Sequence, residues 1–359
     1  MERTDIYITQ GKDYCEMTRE LLEACDLASD IGDRKKRVGI KPNLAVAKPA
    51  SSGATTHPEV LGALLSYLRE KGFENLTVLE SSWVGEDTGR AVRKSGLLDM
   101  CREQGVPFHD TKKDRAVAVD GAGMELQVCA RALEMDYLIN MPVVKGHCQT
   151  TVTCALKNYK GLIPDSEKRR FHRMGLHRPI AHLGAALRQD FILADNICGD
   201  LDFEDGGNPV PMDRVLAFKD PVLCDSFAAE TLGYRPGDIE YIRLAEELGV
   251  GSTDTAGASL HFVRPEGKRE KKAAPRGEWG SWPGTCARRT PAQPATAPSS
   301  TPWTGWTRPG TSRERKERAL PSARASGDRR ESWAWEAVPG ASGNRCQAAR
   351  PRRWTLRNF

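Results

Sequence analysis

The 359-residue sequence has no run of about 18 apolar residues, the length a helix needs to span a bilayer. Its first residues also lack a basic flank followed by an apolar run, so we expect no secretory leader and no contact with a membrane. Eight cysteines lie in the first 265 residues, none of them spaced as CxxC, and several lie inside apolar runs. This usage favours reduced thiols and a cytoplasmic location.

The last part of the chain lacks Ile, Met and Tyr and contains one Asp. Residues 1–270 carry 35 Lys and Arg against 42 Asp and Glu, a net charge of −7. The remaining 89 residues carry 18 against 6, a net of +12, and seven of the eight tryptophans. Such a segment cannot offset its ordering entropy by burying a core. We therefore predict an α/β domain over residues 1–265 and a disordered Arg/Pro/Trp-rich tail over 266–359.

Within the first region, short β-rich runs alternate with segments of helical periodicity. Predicted strands include Asp5–Gln10, Val38–Ile40, Leu76–Leu79, Val106–His109, Ala116–Val119, Tyr137–Met141, Phe191–Ala194 and Val215–Phe218. Helices are predicted at Thr151–Tyr159, Ile180–Arg188 and Ile239–Leu248, and after a capping box formed by Thr56-His57-Pro58-Glu59. This alternation predicts a mainly parallel sheet with helices on both faces.

Ligands of such sheets bind at the carboxyl ends of the strands, and a first polar cluster falls there. Its candidate ligand-binding residues are Lys41, Asn43, Lys48, Thr55, Thr56 and His57. A strand end delivers a lysine, and a Gly/Thr loop leads into a helix N-terminus, whose free N–H groups and dipole favour an anion. A capped helix beside a solvated loop is the alternative.

A second cluster follows the predicted strand Leu138–Val144. It supplies the candidate ligand-binding residues Lys145, Thr150, Lys157 and Asn158, with His147 as a candidate catalytic residue. On the predicted helix, positions 150, 153 and 157 share one face. Three polar groups on a helix between buried strands favour a functional role over a solvated helix face.

A third cluster is acidic and runs from Asp195 to Asp205, followed by Gly206-Gly207-Asn208-Pro209. Carboxylates at this density could bind a hard cation or act as a general base. Asp195 ends a strand, so we select it as a second candidate catalytic residue. For Asp202 and Asp205, a surface turn is the better interpretation.

Taken together, these stretches resemble the domain of unknown function 362 family. The resemblance covers about residues 5–250 and rests on five motifs in order, which are Lys41-Pro42-Asn43, Thr55–Glu59, Val143–His147, Ala155–Pro164 and Gly206–Pro209. The family is associated with iron–sulfur proteins, and many members have cysteine-rich C-terminal parts. The resemblance thus implies a redox link, an electron-transfer partner and a 4Fe-4S cluster in intact relatives, but no substrate.

The tail departs from this pattern, since it offers only Cys286 and Cys346. Its composition is what translation out of frame would produce. In the shifted frame, each codon consists of the third base of one printed codon and the first two bases of the next. Because Trp has one codon, every Trp-Thr pair encodes Asp in that frame. Read this way, residues 289–307 and 347–356 can yield amphipathic and cysteine-bearing strings. We infer a frameshift near residues 265–277; resequencing the gene there would test it, and an unbroken frame would refute it.

Three functions are compatible with this sequence. The first is a redox-linked enzyme that binds an anionic small molecule and moves a proton with His147 or Asp195. The second is a non-catalytic protein that binds a metabolite or assembles a metal cluster. In the third, the +12 tail binds nucleic acid through arginines and tryptophans. A frameshift explains the same composition with fewer assumptions, so we do not expect a nucleic-acid partner.

Overall fold

The computed structural model describes residues 1–263, so the predicted tail, its frameshift and the domain boundary at 265 lie outside the described residues. The strands are β1 (Asp5–Gln10), β2 (Val38–Pro42), β3 (Leu76–Glu80), β4 (Phe108–Asp110), β5 (Ala116–Asp120), β6 (Glu125–Cys129), β7 (Tyr137–Met141), β8 (Lys145–His147), β9 (Thr151–Thr153), β10 (Phe191–Asn196), β11 (Arg214–Phe218) and β12 (Ser259–Val263). The helices are α1 (Tyr14–Ala24), α2 (Leu27–Ile31), α3 (Pro58–Glu70), α4 (Thr88–Lys94), α5 (Leu97–Glu103), α6 (Ala130–Leu133), α7 (Ala155–Asn158), α8 (Asp165–Met174), α9 (His177–Ala186), α10 (Pro221–Thr231) and α11 (Glu240–Glu247).

Eight of these strands form one sheet in the order β12-β1-β11-β10-β7-β2-β3-β4. All neighbours pair in parallel except β11, which is antiparallel to both β1 and β10. The predicted mainly parallel sheet is confirmed. Since β2, β3, β7 and β10 run in the same direction, their carboxyl ends share one edge of the sheet.

Helices cover both faces of the sheet, because its strands are apolar on both sides. Along β10, Ile192 and Ala194 pack into one core with helices α7 to α11. The alternate residues Phe191 and Leu193 pack into the other core with α1, α3 and α5. On α3, the side chains of Leu61, Leu64, Leu65 and Leu68 are fully buried in this second core.

The predicted helix over Thr151–Tyr159 is wrong in its first half. Residues 151–153 form β9, which pairs with β8 as an antiparallel hairpin. Thr151 adopts a φ of 65° at the turn, and the β-branched Thr-Val-Thr run suits an extended strand. The single helical face through positions 150, 153 and 157 therefore does not exist. The predicted strand Leu138–Val144 likewise ends early, at Met141.

The predicted capping box is also not formed. His57 is the N-cap of α3, and its side chain caps no helical N–H. The Thr56 hydroxyl instead donates to the Met141 carbonyl and accepts from the Asn43 N–H. Only Pro58, in the first turn, has its predicted position.

Between Met1 and Val263, no helix combines the length and the apolar character that crossing a membrane demands.

Candidate functional site

Four neighbouring parallel strands deliver polar residues to the same edge of the sheet. Lys41 lies near the end of β2, Glu80 ends β3, and Asp195 lies at the end of β10. Beyond β7, the chain forms the β8–β9 hairpin, which begins with Lys145. Residues from distant parts of the sequence thus converge because their strands are parallel and adjacent.

Lys145 is completely buried, and its ammonium group makes three hydrogen bonds. It donates to Asn43 Oδ1 at 2.9 Å, the Ala54 carbonyl at 2.5 Å and the Glu204 carbonyl at 2.8 Å. These three acceptors match the three N–H bonds of an ammonium group. Lys145 therefore joins the β2 end to the loop after β10.

Lys41 and Asn158 connect β2 to the short helix α7. The Lys41 ammonium forms an ion pair with Glu80 and donates to the Pro42 carbonyl at 2.9 Å. Asn158 Oδ1 accepts from Asn43 Nδ2 at 2.8 Å, and its amide donates to Asn140 Oδ1 at 2.7 Å. Gly161 is required beside this pair, because a Cβ there would lie 2.4 Å from a Glu80 carboxylate oxygen.

Lys157 is buried with fewer partners than Lys145 has. Its ammonium donates one hydrogen bond among the described residues, to Thr153 Oγ1 at 3.0 Å, and lies 3.8 Å from the Glu204 carboxylate. Lys168 lies on the adjacent helix α8 and donates to Ser81 Oγ at 2.7 Å and to the Ser82 carbonyl at 2.8 Å. With Lys160, these groups complete what we call the lysine cluster, formed by Lys41, Lys145, Lys157, Lys160 and Lys168.

Burial lowers the pKa values of the cluster members because it disfavours the charged amine, and neighbouring ammonium groups add to this effect at Lys41, Lys157 and Lys160. Burial lowers the pKa of Lys145 to about 7 against the attraction of nearby aspartates. Burial and neighbouring lysines lower the pKa of Lys157 well below its ordinary value and that of Lys160 to about 8. A bound anion would relieve this repulsion.

His147 is held as a neutral imidazole. Its Nδ1 accepts from the backbone N–H groups of Gln149 and Thr150, at 3.0 and 3.1 Å, so the ring proton resides on Nε2. Nε2 is in contact with the Glu204 carboxylate. Burial, followed by the charge of Lys157 and other nearby cations, lowers the pKa of His147 to about 2.

His57 is in the opposite electrostatic situation. Asp195 Oδ2 accepts from the His57 backbone N–H at 2.7 Å and lies 2.8 Å from His57 Nδ1. Burial disfavours the imidazolium, but the charge and hydrogen bond of Asp195 outweigh it and raise the pKa of His57 to about 10. Asp195 also occupies the N-terminal end of α3, where an anionic ligand was predicted.

The loop between β10 and β11 closes over this edge of the sheet. Its Asp200 carboxylate accepts three backbone N–H groups of the loop itself, so it has a structural role. Two glycines allow the loop to approach: a Cβ on Gly199 would lie 1.8 Å from the Val144 carbonyl, and one on Gly146 2.1 Å from the Leu201 carbonyl. Glu204 reaches the lysine cluster from this loop.

The structure brings most of the predicted site residues together. Lys41, Asn43, Lys145, Lys157 and Asn158 share one network, with Thr56, His57, His147 and Asp195 beside it. Three residues lie at its margin. Lys48 is partly exposed and donates to the Gly206 carbonyl at 3.0 Å, while the Thr55 and Thr150 hydroxyls donate to backbone carbonyls of their own loops. The ligand-binding and catalytic roles of all these residues stay predictions.

Sequence reasoning did not select the carboxylates that neutralise the cluster. Glu80 ends a buried strand and Glu204 lies among surface-like acidic residues, and neither position reveals a lysine partner elsewhere in the chain. A carboxylate at the end of a buried parallel strand was the available signal for Glu80.

Two groups of side chains in the described part of the chain could hold a metal ion. His147, Cys148 and Glu204 offer one ligand atom each within 4.8 Å of one another, at the rim of the site. Cys154, Cys224 and Asp225 do the same in the core, where the two sulfurs are 3.6 Å apart. Neither group provides four thiolates, so residues 1–263 do not fit a 4Fe-4S cluster.

Comparison with known proteins agrees with the predicted family. The family described as Domain of unknown function (DUF362) matches residues 38–230, more than half of the chain. The chain belongs to this family. The DUF362 match includes the lysine cluster, His57 and Asp195. The chain is also similar to the thylakoid-associated protein sll1697 of Synechocystis sp., with 26% identity over 246 residues, which are 66% of this chain and 75% of that protein.

Among solved structures, the chain is similar to the lactate racemase apoprotein from Thermoanaerobacterium thermosaccharolyticum. The identity is 14% and the TM-score 0.37, and the match covers 68% of this chain but 57% of that one. At this level the similarity carries no functional argument, and the chemistry must be inferred from the DUF362 site itself.

Proposed function

We propose that this protein binds an anionic small molecule at the lysine cluster and acts on it as an enzyme. The observation that carries the proposal is Lys157, a buried ammonium group with one hydrogen bond within residues 1–263 and a carboxylate at 3.8 Å. An ammonium group has three N–H donors, and buried donors are normally satisfied. Phosphate or carboxylate oxygens of a ligand would supply the acceptors that Lys157 lacks.

The neighbouring lysines support an anion rather than a neutral ligand. Lys145, Lys160 and Lys168 have lowered pKa values of about 7, 8 and 8, so part of their charge is suppressed near neutral pH. An anion would stabilise their protonated forms. Its affinity should therefore fall as the pH rises through about 7 to 8.

A proton-transfer role is assigned to His147 together with Glu204. Because backbone N–H groups hold Nδ1, the imidazole exchanges its proton through Nε2, where the Glu204 carboxylate is in contact. The Glu204 carboxylate lies 3.8 Å from the ammonium group of Lys157. A ligand held by Lys157 would thus meet this carboxylate as a general base, oriented by the Nε2–H group of the neutral His147 ring. Asp195 acts through His57, whose charge it stabilises.

The redox part of the proposal rests on the family resemblance. The described donor atoms do not form a four-cysteine set, so no step of the proposed chemistry is assigned to a cluster in this chain. The electron-transfer partner belongs to the same part of the proposal. Iron analysis and EPR of anaerobically purified, frame-corrected protein would test it, and protein without iron would remove it.

The anion site can be tested by thermal stabilisation with inorganic phosphate, pyrophosphate and citrate. We expect at least one of these anions to raise the melting temperature of the wild type and not that of Lys157→Met, which keeps the length and packing of the side chain. Lys113→Met is the matched control, since the Lys113 side chain is 84% exposed. Equal shifts in wild type and Lys157→Met, or none in the wild type, would refute the site.

The alternative function is non-catalytic, as a metabolite-binding or metal-assembly protein. It is favoured by one observation, the grouping of His147, the exposed Cys148 and Glu204 at the rim. These atoms are suited to Zn²⁺ or a similar cation. Stoichiometric Zn²⁺ binding lost in Cys148→Ser, without turnover of any anion that binds, would favour this alternative over the enzyme.

A further inference from the structure

Cys198 lies beside the His57–Asp195 pair, outside the lysine cluster. Its sulfur is 3.5 Å from His57 Nε2, while Nδ1 of the same ring is 2.8 Å from Asp195 Oδ2. The ring therefore lies between a thiol and a buried carboxylate, with one nitrogen directed to each. Cys198 is partly exposed, so a reagent can reach it.

The fold holds this arrangement from three sides. Asp195 is fixed at the end of β10, and its second oxygen accepts the Ile197 N–H at 3.1 Å. His57 is fixed by its own backbone N–H, which donates to the same carboxylate. Gly53 adopts a φ of 81°, and a Cβ there would lie 2.8 Å from the Cys198 carbonyl, so the cysteine loop packs directly on that glycine.

We propose that Cys198, His57 and Asp195 form a nucleophilic thiol site that accepts an acyl group from an activated acyl donor. A nucleophile, a base in hydrogen-bond reach and a group that orients the base are the three parts that covalent catalysis needs. Asp195 stabilises the imidazolium of His57, and the Cys198 thiol gives up its proton beside this charge, so that thiolate and imidazolium form an ion pair. This proposal is independent of the anion site.

The acyl step balances within these residues. The Cys198 thiolate attacks the carbonyl carbon, the new S–C bond forms, and the bond to the leaving group breaks. The Nε2 proton of His57 goes to the leaving group. Water or another nucleophile then takes the acyl group, which returns the free thiol. The raised pKa of His57, about 10, agrees with a ring that carries its proton when the thiolate is present.

The other cysteines provide internal controls. Cys15 and Cys148 are exposed; the Cys15 thiol donates to the Glu59 carbonyl at 3.7 Å, and the Cys148 sulfur lies within 4.8 Å of a nitrogen of the neutral His147 ring. For Cys15, burial of the sulfur and nearby carboxylates raise the pKa of the thiol. Cys154 and Cys224 are buried, and burial raises their thiol pKa values as well. An ordinary thiol is almost fully protonated at pH 6 and reacts slowly.

The first experiment measures alkylation by iodoacetamide at each cysteine by peptide mass spectrometry between pH 5 and 9. At pH 6 we expect Cys198 to react on the order of 10-fold or more faster than Cys15 and Cys148, because the His57 ring 3.5 Å from its sulfur activates the thiol. His57→Gln should abolish the advantage, and Asp195→Asn should reduce it; circular dichroism verifies that each variant is folded. If Cys198 follows the pH profile of Cys15, or is unaffected in folded His57→Gln, the thiol site is refuted.

The second experiment tests the acyl class with p-nitrophenyl acetate. We expect a burst of p-nitrophenolate and an acetyl group on the Cys198 peptide in the wild type, both lost in Cys198→Ser. Rapid alkylation without any acetyl adduct would overturn the assignment to acyl transfer. Lys113→Met, an exposed position outside both sites, should leave the burst unchanged.

Discussion

At the same edge of the sheet, the buried lysines and the buried His57 have pKa values that are shifted in opposite directions. In the lysine cluster, like charges are buried together and the pKa values of Lys145 and its neighbours fall. At His57, opposite charges are buried together and the pKa rises to about 10. Burial disfavours the charged form in both places. At His57 the directly bonded Asp195 outweighs burial, whereas at Lys145 burial outweighs the nearby aspartates and at Lys157 neighbouring ammonium groups add to burial.

The largest loss of stability should come from removing the carboxylate that pairs with His57. Asp195→Ala leaves the His57 ring without its partner and the backbone N–H of His57, at the N-cap of α3, without an acceptor. Removing one partner of a buried charged pair costs about 3–5 kcal/mol. Urea unfolding measures the loss, with the exposed Asp202→Ala as control. A loss as small as that of Asp202→Ala would show that His57 is not charged in the folded protein.

The pH dependence of stability should separate the two groups. The pKa of His57 is higher in the folded protein than the ordinary 6.5, so the folded state binds the extra proton and this contribution is lost as the pH rises from about 6.5 to 10. For Lys145 the folded pKa is the lower one, about 7 against 10.5, so the unfolded state binds the extra proton and stability rises with pH over that window.

Substitution of either residue should therefore change the slope of the unfolding free energy against pH, in opposite directions for His57 and Lys145. Between pH 7 and 10, His57→Gln should make the slope more positive, and Lys145→Met more negative, each by up to about 1.4 kcal/mol per pH unit. Urea unfolding at closely spaced pH values measures both slopes. Parallel curves for wild type and His57→Gln would contradict the raised histidine pKa.

A smaller effect is expected within the lysine cluster, where one substitution should increase the free energy of unfolding. Lys157→Met removes a buried, poorly paired amine while Glu204 keeps its contact with His147, so we expect stability to increase by about 1 kcal/mol. Lys41→Met is the matched control and should destabilise, because it leaves the buried Glu80 without its partner. If both variants destabilise equally, Lys157 is as well paired as Lys41 and the comparison fails.

The sequence was sufficient for the sheet and for the location of the site. Apolar runs predicted the central strands, and the rule that ligands bind at carboxyl ends selected Lys41, Lys145 and Asp195, which the structure places at one edge. These predictions succeeded because they depend on local hydrophobic pattern and on strand direction, both of which are encoded within short segments.

The failures share a cause, since each depended on a pairing partner that the local sequence pattern does not reveal. Thr151–Thr153 is a strand because residues 145–147 pair with it, which helical spacing cannot reveal. The N-terminus of α3 is capped by Asp195, 138 positions away from His57, rather than by Thr56. Cys198 drew no attention because its significance comes only from the ring of His57.

The antiparallel strand β11 has a consequence for how this edge could diversify. If the strand after β10 were parallel to it, the chain would have had to cross from the carboxyl ends of the strands to their amino ends before re-entering the sheet. With β11 reversed, residues 197–213 leave and re-enter the sheet on the same side, and this stretch carries Cys198, Asp200 and Glu204. Changes of length or sequence in this loop would alter which side chains contact the lysine cluster without moving any strand of the sheet.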